Sequence, residues 1–190
     1  MYYIEKIKDN IRVDPRLLNL PLEKAIYQTL KENYEGKIDS KEAKIYIAIL
    51  DIESIGEGVI IPGDGGIYYD VTFKALSYSP KISEIVEGIV EKNEEFGSFV
   101  RIGPIIGLVH KTQLMDDYVS FSSQGVFQGK TTKFTLKPGD EVRARIIAVS
   151  TKEGRDIRVG LTMRQVGLGA LDWLRKMKEE KEKAKKKKEK

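Results

Sequence analysis

The stretch FGSFVRIGPIIGLVH, Phe96–His110, decides how the second half of this chain is read. Its apolar residues recur at strand spacing, and the segment is expected to fold as a β-hairpin. Phe99 and Arg101 lie two apart, so they share one face of their strand. Phe96 and Phe99 are three apart, and a regular strand would send them to opposite faces. Gly97 is where a bulge would bring both rings to one side. Rings displayed together can stack on the bases of an unpaired nucleic acid strand. The competing reading packs both rings inside a barrel.

Working outward, EIVEGIVEK precedes the hairpin, while EVRARIIAVS and DIRVGLTMR follow it, with no helical stripe until the C-terminus. Strands this short and closely spaced fit a small closed barrel of five. Residues 115–138 are long for a connection and rich in turn formers, so an embellishing hairpin or ordered loop is expected. LGALDWLRKMK starts a helix with Leu171, Leu174 and Met177 on one side. The run EEKEKAKKKKEK beyond Met177 has no apolar face and is expected to be a solvated, frayed tail.

Upstream of the barrel a different pattern holds. MYYIEKIKDNIRVDP is extended, and after a loop Pro21 opens a helix whose Leu22, Ala25, Ile26, Thr29 and Leu30 share one face. Gly36 stops it. In KIYIAILDIESI both alternating sets are apolar, which reads as a central strand; GIYYDVTFKALSY alternates with mostly polar neighbours, which reads as a strand with one solvated face. Between them GEGVIIPGDGG reads as a glycine-rich protruding connection, and Pro80 closes the domain. The fold class is therefore α+β: an antiparallel sheet with a helix over residues 1–80, a five-stranded barrel over 81–174 and a Lys-rich tail over 175–190.

Composition excludes several classes of chemistry. There is no cysteine and one histidine, His110, so disulfide frameworks, thiolate sites and His-pair metal motifs are ruled out. No stretch approaches the roughly 18 apolar residues of a membrane span, and the start has no signal-peptide layout, so a soluble cytoplasmic protein without membrane contact is expected. The net charge of +4 misleads, because residues 175–190 hold 10 Lys/Arg against 4 Asp/Glu and the remainder of the chain is −2. Any nucleic-acid contact by the body must rest on particular positions rather than on overall charge.

Three motif-like stretches carry no function. GVFQGKTT, from Gly125, resembles a phosphate loop but is one residue short, and KFTLKP cannot supply the helix whose N-terminus would hold the phosphate. GDGG, from Gly63, has the letters of a KH clamp loop but strands rather than helices around it. Asp116 and Asp117 have no third carboxylate at a useful spacing. Without a nucleophile, base and orienting acid, the chain offers no catalytic residues, no metal site and no cofactor site, and it is read as a non-enzyme.

The order FGSFV, GLVH, loop, KPGDEVRARI and RVGLTMR resembles the S-one type of RNA-binding OB-fold over about Glu84–Met163. That resemblance implies single-stranded RNA on the face of the second and third strands, with Phe96 and Phe99 at the ring positions, His110 on the third strand, and Arg101, Lys111 and Arg155 as its basic contacts. For His110 a strand-end cap is the equal alternative. The acidic residue of that group after the fourth strand has no equivalent near Ser150 and Thr151.

Taken whole, MYYIEKIKDNIRVDP, IGEGVIIPGDGGIYYDVTFKALSYSP, the hairpin, MDDYVS and LTMRQ before a Trp-containing helix resemble the E-prime family of archaeal DNA-directed RNA polymerase, counterpart of the seventh subunit of eukaryotic RNA polymerase II. The resemblance implies a tip domain plus OB-fold, a heterodimer with a small helical polymerase subunit, and a stalk beside the RNA exit channel. It also implies docking on the polymerase core near the clamp through Gly58, Val59, Ile60, Ile61, Gly63, Asp64, Gly65 and Gly66. Three consecutive apolar residues in that loop suit a protein partner, although a short strand covered by its own domain is the plain alternative. An RNA-binding factor of translation or of an RNA-decay complex could use the same barrel.

Overall fold

The computed structural model describes residues 1–152 and 156–188, and its internal contacts divide the chain between Ser79 and Pro80. In the first unit β1 (Tyr2–Val13), α1 (Leu22–Tyr34), β2 (Ile38–Asp39), β3 (Lys44–Ile60) and β4 (Ile67–Tyr78) build an antiparallel sheet of order β1-β4-β3-β2. The helix lays Ala25, Ile26 and Leu30 on Ile11, Val13, Ile49, Val71, Phe73 and Ala75, and all nine are buried. Each large side chain withdrawn from water in this way contributes about 1.5–3 kcal/mol. Pro21 sits at the N-cap, and after α1 the chain turns at Gly36, whose φ of 75° suits a residue without Cβ.

Strand order corrects the sequence reading. β4 is the central strand, paired along its length with both β1 and β3, whereas β3 has a second neighbour only at Lys44 and Ile45. The register between β3 and β4 shifts at four places from Tyr46 to Gly58. Such irregularities rotate successive side chains, so an unbroken apolar run does not imply two covered faces. Ile49 is buried while Leu50 beside it is exposed. The polar positions of β4 sit among long neighbours, as where Lys74 reaches Glu53 at 3.1 Å.

In the second unit β5 (Ile85–Glu94), β6 (Gly97–Ile102) and β7 (Ile105–His110) run antiparallel in sequence. Then β8 (Val119–Phe121), β9 (Phe127–Gly129) and β10 (Thr135–Leu136) form a separate three-stranded sheet within residues 115–138. β11 (Glu141–Lys152) pairs with β5, and β12 (Asp156–Thr162) pairs with β11 and, in parallel, with β7. That closes the barrel around Val90, Val100, Ile102, Val109, Val142, Ile146 and Leu161. Buried Asn93 ties the added sheet down: its Nδ2 donates to the carbonyls of Gly125 at 2.9 Å and Leu136 at 3.0 Å, while Ser98 Oγ donates to its Oδ1 at 2.6 Å. A buried amide is tolerated when it is satisfied in this way.

β13 (Gly169–Ala170) leads into α2 (Leu171–Lys188). Leu171, Leu174 and Met177 are only half-buried; the anchor is Trp173, whose Nε1 donates to Thr135 O at 2.9 Å and whose ring stacks on Phe134 with centroids 5.3 Å apart. The expected frayed tail is corrected too, since the backbone stays helical to Lys188. Lys, Glu and Ala are strong helix formers and need no docked face to extend a helix already anchored at its start. Among the described residues no helix is long and apolar enough to cross a membrane.

Candidate functional site

The β6–β7 hairpin is in unbroken register, with Gly97 opposite His110, Phe99 opposite Leu108 and Arg101 opposite Ile106. Alternation sends Val100, Ile102, Ile105 and Val109 inward, leaving Phe99, Arg101, Ile106, Leu108 and His110 on the outer face. Phe96 lies outside the strand, in the turn between β5 and β6, and from there its ring reaches Phe99 with centroids 5.9 Å apart and planes at 89°. The two rings do come together, but no bulge at Gly97 brings them. Gly97 serves close approach instead: a Cβ there would sit 2.3 Å from Val109 O. The bulge is in the neighbouring strand, between Val90 and Lys92.

Phe96 is 49% exposed and Phe99 half-buried, so the pair presents one open ring braced edge-on by another. Arg101 points outward but is ion-paired with Glu91, which offsets much of its charge. His110 caps the 3-10 turn Lys111–Gln113: its Nδ1 lies 2.9 Å from Thr112 Oγ1 and accepts from Thr112 N at 3.4 Å. Lys111 is exposed, and its backbone N–H donates to Phe96 O at 2.9 Å, which fixes that end of β7 beside the ring. Arg155 lies outside the described residues. The face is thus aromatic and aliphatic with little net charge.

The glycine-rich connection of the first unit is shorter than its sequence suggests. Gly58, Val59 and Ile60 belong to β3, paired with Tyr69, Tyr68 and Ile67, so they form a strand and not a loop. Val59 is 58%, Ile60 69% and Ile61 46% exposed, which leaves that strand end uncovered within its own unit. The turn itself spans Pro62–Gly66, closed by Asp64 N donating to Ile61 O at 3.0 Å, with Gly63 at φ 90°. Gly65 follows Asp64 in the turn, and its Cβ would have met only Pro15, at 3.4 Å.

Asp64 organises this turn, a role that its place in a glycine-rich run did not reveal. Its carboxylate accepts from Arg12 Nε at 2.9 Å, Arg12 Nη2 at 2.5 Å, Tyr68 Oη at 2.6 Å and Gly66 N at 3.0 Å. The hydrogen bonds from Arg12, then Tyr68 and Gly66, hold it far below the usual carboxylate range, and Asp64 in return pushes Arg12 and Tyr68 up. Arg12 is distant in sequence, so no local signal marked the contact.

The phosphate-loop look-alike has its anion already. Thr131 N and Thr132 N donate to Asp117 Oδ2 at 2.8 Å each, and Thr132 Oγ1 does so at 2.9 Å. Those amides depress the Asp117 pKa strongly, Thr132 first. Asp116 is taken by Arg164 at 2.7 Å. Among the described residues no cluster of His, Asp and Glu is placed to hold a metal ion. Beside these groups opens a cleft of about 700 Å³ whose lining includes Lys111, Tyr118 and Arg164.

Residues 8–65 match the family described as the SHS2 domain found in N terminus of Rpb7p/Rpc25p/MJ0397, and residues 79–159 match the S1 RNA binding domain. The chain is 38% identical over 176 residues to DNA-directed RNA polymerase subunit Rpo7 of Saccharolobus solfataricus, covering 92% of this chain and 97% of that one. It is 35% identical over 175 residues to the Rpo7 of Sulfolobus acidocaldarius, covering 92% and 95%. DNA-directed RNA polymerase II subunit 7 of Arabidopsis thaliana is 24% identical over 152 residues, covering 80% and 85%.

Proposed function

Because the chain belongs to the Rpo7/Rpb7 family of DNA-directed RNA polymerase subunits, we propose that it works as a non-catalytic stalk subunit that contacts both the polymerase core and the emerging transcript. Residues 1–80 are the docking tip, residues 81–174 hold single-stranded RNA, and residues 175–190 add a basic tail. A small helical subunit completes the heterodimer. The observation that carries the RNA part is the ring pair Phe96–Phe99, in which Phe96 is open to solvent and half-buried Phe99 braces it from the outer face of an S1-type barrel. Arg101, His110, Lys111 and Arg155 are its polar contacts. The near-neutral face supports a modest, sequence-tolerant grip that depends on stacking more than on phosphate charge.

For the tip, Gly58 through Ile61 supply an aliphatic surface and Gly63 to Gly66 let a partner approach the backbone closely, while Asp64 keeps the turn in one shape. Affinity capture of the full chain from native extract is expected to recover the polymerase core together with a small helical subunit. Recovery of ribosomes or of an exoribonuclease ring in their place would overturn the assignment.

A further inference from the structure

We infer that Tyr118 and the cleft beside it form a second nucleotide subsite, one base beyond the Phe96–Phe99 face, in which Tyr118 stacks on a base and Lys111 and Arg164 contact its phosphate or ribose. The inference rests on the RNA reading of the barrel and extends it from Lys111 to Tyr118 and Arg164, which the S-one resemblance did not assign.

Tyr118 is 84% exposed, the highest of any aromatic side chain among the described residues. It is nonetheless held at a fixed place. Its backbone N donates to Asp117 Oδ1 at 2.7 Å, and its carbonyl accepts from Lys130 N at 2.8 Å just beyond the end of the β8–β9 ladder. Asp117 is itself locked by Thr131 and Thr132, and Gly129 leaves the room: a Cβ there would meet Thr132 Oγ1 at 2.4 Å and Asp117 Oδ2 at 2.8 Å. The backbone that carries the open ring is therefore preorganised, and only the torsions of the ring itself remain to be ordered when a base stacks on it.

The cleft has the size and chemistry for one nucleotide. Its volume of about 700 Å³ lies within the range of small-ligand sites, and its walls combine Met115 and Val119 with the donors Lys111, Thr112 and Arg164. Asp116 and Asp117 also line it: the first is ion-paired with Arg164, and the second stays ionised with its Oδ2 turned onto the Thr131 and Thr132 amides, so Lys111 is the cation that meets a phosphate and Arg164 serves as a donor at the ribose. Continuity favours a nucleic acid strand as the ligand. Lys111 belongs to both sites, lining the cleft while its backbone N–H holds Phe96 O at 2.9 Å. A strand leaving the Phe96 ring past Lys111 enters the cleft.

The test uses the full chain and fluorescent oligouridylates of increasing length, comparing wild type with Tyr118→Ala and Tyr118→Phe. Tyr118→Ala is expected to lower affinity about five- to tenfold for long oligouridylates and leave the shortest that bind unchanged, with Tyr118→Phe close to wild type. Equal affinity of wild type and Tyr118→Ala at every length overturns the subsite while the Phe96–Phe99 reading stands. Absence of oligouridylate binding by wild type removes both. Loss of a polymerase component from the captured complex, with RNA affinity intact, assigns the ring to a protein contact and overturns the subsite.

Discussion

The end of the first-unit hairpin and the barrel hairpin both expose apolar surface, but in different chemical forms. Val59, Ile60 and Ile61 offer aliphatic bulk with no preferred face, next to a turn whose one carboxylate is fully engaged. Phe96 and Phe99 offer flat rings at right angles beside an arginine partly neutralised by Glu91. Aliphatic bulk is recognised by complementary packing, which another protein supplies; ring faces accept any base. Two apolar patches of similar exposure in one chain therefore suit two classes of partner, and the distinction lies in side-chain shape rather than in hydrophobicity.

The largest effect that separates them is expected from Ile60→Asp. A charge at the centre of the aliphatic patch should weaken capture of the polymerase core by at least about 30-fold and leave RNA affinity as it was, measured by quantitative pull-down and oligonucleotide binding on the same preparation. If RNA affinity falls in parallel, the two patches are not separate surfaces.

A smaller effect, about tenfold, is expected for Phe96→Ala combined with Phe99→Ala on RNA affinity, with core capture unaffected. Arg101→Ala alone should cost about two- to threefold, since Glu91 already offsets its charge, and should change the salt dependence of binding by less than about one ion. An Arg101 effect exceeding that of the two rings would mean that the face reads phosphate.

The smallest effect is the absence of one. Asp64 has a folded pKa well below its unfolded value of about 3.9, so its contribution is complete above about pH 4 and is lost only as pH falls through the lower folded value. The Gly66 amide resonance, which reports the hydrogen bond to Asp64 Oδ1, should therefore hold its position from about pH 6 to about pH 4. A titration step near pH 4 would show that Arg12 and Tyr68 do not govern the turn.

Much of this arrangement was legible in the chain. Of the helical stripe Leu22-Ala25-Ile26-Thr29-Leu30 all but the exposed Leu22 at the helix start are buried, and the closely spaced strands after Lys81 close into a barrel, because period-based signals depend only on neighbours. Strand order was not, since β3 and β4 are told apart by pairings between distant residues and by bulges that leave no mark on composition. The Phe96–Phe99 contact was anticipated for the wrong reason: spacing demanded a device, and the device is a turn position, not a bulge. Arg12 with Asp64, Asp117 with Thr131 and Thr132, and Trp173 on Phe134 all join residues remote in sequence, where single-sequence patterns carry no information.

The irregular pairing of β3 has a consequence for the life of the unassembled chain. Beyond Ile45 it borders its sheet with no described strand on its far side, and its register shifts at four places before Gly58. An edge broken so often cannot template a straight incoming strand, and β1, the opposite border, is studded with Lys6, Lys8 and Asp9. The bare isoleucines at the end of β3 thus lie on an edge shielded from joining copies of the chain strand to strand.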